Sequence, residues 1–127
     1  MKSQQSIIAG LIFFLLMGYS VSARAVEGAT ATLPHTIRGE VVDLACYLTE
    51  GAQGVAHSDC AQKCITSGLP VGIKTADNKI YLAISGEHGP ANATLAPLAG
   101  KQVEAEGTVS EKDGVSLIAI KKVTEKP

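Results

Sequence analysis

Apolar residues along this chain fall into one long run and then a series of short bursts. The run is Ile7-Ile8-Ala9-Gly10-Leu11-Ile12-Phe13-Phe14-Leu15-Leu16-Met17, preceded by Lys2 and followed by small residues at Ala23-Arg24-Ala25. An Ala-x-Ala pattern after an apolar core fits a signal-peptidase cut, and Val21-Ser22-Ala23 offers a second site. A spanning helix wants about 20 apolar residues, and this core is shorter with no stop-transfer charges behind it. No Cys follows the run to take a lipid. Residues 1–25 therefore read as a cleaved secretory signal peptide. This predicts a periplasmic or secreted protein with no membrane anchor after cleavage. Residues 26–36 are Ala/Thr-rich, lack an apolar period and hold Pro34, which predicts a loose leader.

From Ile37 the bursts become regular. Residues 37–48 read as a strand with Gly39 as a bend or bulge, and residues 49–54 as a Gly-containing loop. A compact helix follows. Ser58 is placed to cap its first turn, Asp59 sits at its positive end, Gly68 suits its closure and Pro70 prevents continuation. Residues 69–74 and 79–85 read as strands across an Asp77-Asn78 turn, with Ile80, Leu82 and Ile84 alternating against polar or small residues. Residues 86–93 form a loop, and 94–99 a single helical turn ended by Gly100. Residues 101–110 and 115–122 form a second hairpin across Asp113-Gly114, leaving only Glu125-Lys126-Pro127 to fray.

The order is strand, helix-bearing insert, two strands, helical turn, two strands. A mainly β fold follows: a five-stranded Greek-key barrel of the OB type spanning residues 37–124. Its short Cys-bearing helix is inserted after strand 1, and a helical turn lies between strands 3 and 4. Closure also removes the exposed edges of an open sheet.

Loss of residues 1–25 changes the composition. Eleven Lys+Arg fall to nine with Lys2 and Arg24, against twelve Asp+Glu, so the remaining 102 residues carry a net charge of −3. Tyr47 and Tyr81 are the only aromatics left. A mildly acidic domain with almost nothing to stack on bases is not a nucleic-acid binder. Nor is there a Gly-rich phosphate loop, an HExxH, a CxxCH for haem, or a Ser/His/Asp order for a hydrolase. The composition gives no reason to expect an enzyme.

The candidate chemistry lies in Cys46 and in His57-Ser58-Asp59-Cys60-Ala61-Gln62-Lys63-Cys64, which hold all three cysteines. Residues three and four apart share a helix face, so Cys60 and Cys64 stand one turn apart with His57 approaching from the same side. Cys46, at the end of the first strand, completes a Cys3His set if the loop folds back. Thiolates and imidazole suit zinc, and thiolates also select copper(I). The spacing, C-x13-C-x3-C, is not a common zinc-finger one.

Two alternatives stay open. In an oxidising compartment, Cys46 is free to pair with Cys60 or Cys64 and staple a ligand- or protein-binding module without metal. Three cysteines cannot all pair within one chain, and that odd count favours the metal. The third alternative is thiol redox chemistry through Cys60 and Cys64, with Lys63 and the helix N-terminus lowering a thiol pKa. His88 is a weaker extra ligand and His35 weaker still. Asp43 is either an acceptor that orients a ligand or a charge on an exposed strand face. Tyr47 beside Cys46 reads as a core-packing residue or a cover for the site. Asn92-Ala93-Thr94 matches a glycosylation sequon.

The stretches 39–48, 57–64 and 68–72, extended by 98–103 and Gly107, resemble uncharacterised small exported bacterial proteins with an OB-like fold and a Cys…His-x-x-Cys-x-x-x-Cys motif. The resemblance covers about a third of the chain. It implies a periplasmic OB-like domain and implies no activity. The Cys-x3-Cys element is also similar to copper sites of cytochrome oxidase subunit II and of its copper-delivery proteins. The downstream His or Met arrangement of those sites is missing, since the chain beyond residue 25 has no Met and only His88 follows Cys64. The expected function is a periplasmic protein holding one soft metal ion, zinc or copper(I), through Cys46, His57, Cys60 and Cys64. Its role is structural or metal-handling, and its expected partner, besides the ion, is another periplasmic protein.

Overall fold

The computed structural model describes residues 34–127. The expected signal peptide at 1–25, and the expected leader as far as residue 33, lie outside the described residues. Five strands, β1 (His35–Asp43), β2 (Val71–Lys74), β3 (Ile80–Ser85), β4 (Gln102–Lys112) and β5 (Val115–Glu125), close into a barrel in the order β1-β2-β3-β5-β4. β3 and β5 run parallel and every other pair is antiparallel. This is the expected OB-like Greek key, with its helical turn between β3 and β4 in place.

The alternation that predicted the strands also builds the core. Ile37 and Val41 of β1, Val103 and Ala105 of β4, and Ile118 and Ile120 of β5 all point inward with Ile73 of β2. Each valine and isoleucine among them contributes roughly 1.5–3 kcal/mol of burial. Leu95, from the short helix Asn92–Leu95 that runs into a 3₁₀ turn at Ala96–Leu98, is fully buried beneath them. Gly39 is where β1 passes from pairing with β4 to pairing with β2, and a Cβ there would collide with the Lys74 carbonyl. The bend read from the sequence is thus a close backbone approach. Asp113 and Gly114 both take positive φ, as a two-residue primed turn requires.

Several boundaries differ. β1 begins at His35, inside the expected leader, and stops at Asp43 rather than running to 48. Residues Leu44–Glu50 are instead a helix, here α1. The second helix, α2 (Ser58–Thr66), is led by a 3₁₀ turn at Val55–His57, so Ser58 is already helical and makes no cap hydrogen bond. Gly68 closes α2 as expected, with φ 100°, and the Leu69 amide donates to the Cys64 carbonyl at 3.1 Å. The β2–β3 link is the wider Thr75–Lys79 loop rather than a two-residue turn. β5 runs on to Glu125, opposite Val103, and the Lys126 amide donates to Gln102, so the tail is paired rather than frayed.

Candidate metal centre

The helical insert leaves and re-enters the barrel at one place. Asp43 and Val71 are paired neighbours in β1 and β2, and the Leu44 amide donates to the Pro70 carbonyl at 2.9 Å. Whatever conformation residues 44–70 take, their two ends are held together. Cys46, three positions after β1, and Cys64, seven before β2, are thereby brought back to each other.

α1 forms because its ends are specified. Asp43, only 1 % exposed, caps it, its two carboxylate oxygens accepting from the Ala45 and Cys46 amides at 3.1 and 3.2 Å. At the other end Gly51 takes φ 70° and its amide meets the Cys46 and Tyr47 carbonyls. α2 is anchored by Ala61 and Ile65, four apart and both buried, which leaves Cys60 and Cys64 on other faces. Three ties hold the insert to the barrel. The Gly54 amide donates to Glu40, and Gly100 packs against Gly54 and Ser58. The Asn92 side-chain amide donates to the Ile65 and Leu69 carbonyls at 2.7 and 2.8 Å.

The result is two overlapping groups of metal-ligating atoms, each within 4.8 Å of one another: Cys46, His57 and Cys60, and Asp43, Cys46 and Cys64. Each of the four sequence-predicted ligands falls in one group or the other and Cys46 in both, but neither group holds all four, and Cys64 is grouped with neither His57 nor Cys60. The fold-back of Cys46 occurs, but from a helix rather than from a strand end. His88, exposed in its loop, and His35, on the first residue of β1, belong to neither group. All three cysteines are free thiols; Cys46 and Cys64 are half-buried and Cys60 is exposed.

Asp43 is the residue whose place the sequence reading left open. It is neither on an exposed strand face nor aimed at an imidazole. It is buried against two thiols and starts the helix that carries one of them. The signal was present in an Asp followed eight residues later by Gly, a start and a stop for one short helix.

The electrostatics follow from that placement. A hydrogen bond to the Asp43 carboxylate, then burial and the Asp43 charge, push the Cys46 thiol up to about 12. Burial first, and the Asp43 charge second, raise Cys64 as well. The Cys64 thiol is thus raised, whereas the redox alternative expects a thiol lowered by Lys63 and the helix N-terminus. His57 adds a further demand: its Nε2 is the one buried side-chain nitrogen or oxygen among the described residues with no hydrogen-bond partner. A buried imidazole nitrogen left unmatched is costly, and a bound cation is one way to satisfy it.

Other expectations resolve plainly. Tyr47 does not enter the core; the Lys74 ammonium stands 5.9 Å from its ring centroid. The amide nitrogen of Asn92, which a glycan would have to occupy, is committed to two carbonyls. An open trough along α2 is lined by Asp59, Gln62, Lys63, Thr66 and Ser67, none of them a ligand. Among the described residues no helix is long and apolar enough to cross a membrane. Comparison with protein-family models, with curated proteins and with solved structures gives no match for this chain.

Proposed function

We propose that this protein binds one soft metal ion, zinc or copper(I), through Cys46, His57, Cys60 and Cys64, as an exported periplasmic or secreted metal-binding domain of the OB-like type. The observation that carries the reading is the sharing of Cys46 between the His57–Cys60 group and the Asp43–Cys64 group. One ion beside Cys46 is within reach of donors from both. The unmatched Nε2 of His57 supports the same reading, since an imidazole lone pair is a good ligand for either metal. The odd number of thiols fits a site that uses all of them.

A disulfide-stapled binding module is the second reading, and it too has an observation behind it: the Cys46 sulfur lies within 4.8 Å of both other sulfurs. One experiment separates the two. The protein is purified from periplasm without chelator, and metal content, intact mass and free thiols are measured. One equivalent of zinc or copper with three reduced thiols is the expected outcome. A metal-free chain lighter by two protons would replace the metal reading with the disulfide one.

A further inference from the structure

The four ligands are unequal in a way that bears on what the site does with its ion. Cys46 and Cys64 are half-buried and grouped with Asp43, which is 1 % exposed; Cys60 is exposed and belongs only to the outer group with His57. An ion beside Cys46 therefore has an inner side, closed by Asp43 and Cys64, and an outer side held by Cys60, an exposed residue. Zinc sites that only stabilise a fold are closed, with four protein ligands and no open position. This one holds one of its four ligands on an exposed residue at its edge. Cys60 stands in the first turn of α2, where Ala61 and Ile65 rather than the cysteine fix the helix to the barrel, so its bond to metal can break without unpacking the core.

Building on the metal reading above, we infer that the site is a transfer site, from which an acceptor thiol takes the ion by displacing Cys60. In the step, the acceptor sulfur forms a bond to the metal and the bond from metal to Cys60 Sγ breaks. The proton leaving the acceptor thiol ends on Cys60, and the ion keeps its oxidation state. No oxidant or reductant enters. The acceptor chemistry is a soft thiol, carried by a small molecule or by a protein cysteine pair.

The test uses the protein loaded anaerobically with one equivalent of copper(I), its occupancy verified by native mass spectrometry. It is mixed in stopped flow with rising concentrations of dithiothreitol in one arm and of a reduced Cys-x-x-Cys peptide in the other. The expected result is a transfer rate that rises linearly with acceptor concentration in at least one arm. Transfer to dithiothreitol alone would identify small thiols as the acceptors, and transfer to the peptide alone a protein. A rate independent of acceptor in both arms would overturn the inference while leaving the metal reading intact. Failure to take up either copper(I) or zinc at loading would overturn the metal reading itself, before any acceptor is added. Cys60→Ser gives a second check. It opens the outer corner in advance, and transfer should quicken roughly tenfold or more, since even an outer partner of a ligand is worth 10–100-fold in affinity. Slower transfer from this variant would count against Cys60 as the leaving ligand.

Discussion

Asp43 joins three roles in one buried carboxylate: it ends β1, caps α1 and stands against Cys46 and Cys64. Asp43→Ala removes the acceptors of two amides and should cost about 0.5–2 kcal/mol, the range for losing a helix cap, measured by urea denaturation of the metal-free protein. Asp43→Asn keeps a good cap and should retain most of that stability, so the pair separates capping from charge. Equal stability of Asp43→Ala and the parent would show that α1 does not depend on its cap. The helix was legible at this scale, in Asp43 and in Gly51 eight positions later, but the valines before it extend the strand pattern through the same residues. Val41 and Val42 are both buried, which breaks the alternation that would have marked the strand's end.

At the scale of elements, the insert is a clasp tied to the barrel at Glu40, Gly100 and Asn92. Gly100 has φ 73°, and a Cβ there would sit 2.7 Å from the Gly54 carbonyl oxygen and 3.1 Å from the Ser58 Cβ. Gly100→Ala should destabilise by at least about 1–2 kcal/mol from the left-handed backbone alone. It should also weaken metal binding, because Gly54 and Ser58 flank His57. The checks are a melting curve and a competitive metal titration. Unchanged metal affinity in a destabilised variant would mean that the cluster is positioned by α1 and α2 alone. The composition around Gly100 marks it as the end of a helical turn; its partner across the fold is visible only in three dimensions.

At the scale of the whole molecule, the barrel core is built from Ile37, Val41, Ile73, Leu95, Val103 and Ile118, none of which is a ligand. Chelation should therefore loosen residues 44–70 and leave the strands closed. Hydrogen exchange should show lost protection in the insert and little change in β4 and β5, and global unfolding on chelation would contradict this. Acid should act on a different part of the molecule. Hydrogen bonds from Thr75 to Asp77, from Arg38 to Glu104 and from Lys79 to Glu111 hold these carboxyls below their ordinary values. A carboxyl depressed in the folded state contributes stability above its unfolded pKa, near 4, and that contribution is lost as pH falls through the lower folded value. The urea midpoint should accordingly drop below about pH 4, and the double substitution Glu104→Gln and Glu111→Gln should flatten the drop. An unaltered pH profile in that variant would remove these pairs from the account. The Lys79–Glu111 pair is exposed enough that salt should weaken its share of the effect.

Local chemistry settled much of this in advance. Alternating apolar residues need two faces, and Asp-Gly needs positive φ, so five strands, their hairpin and their order were legible from near neighbours along the chain. The candidate residues were legible too, as three thiols and an imidazole within 19 positions, but not the choice among metal, disulfide and redox chemistry. What only the tertiary structure decided was long-range: that Asp43 pairs with Val71 and so closes the insert, that Cys46 returns to α2 from a helix, and that Asp43 is buried beside it. Each depends on barrel closure, and closure is a property of strands pairing across the chain that no single segment carries.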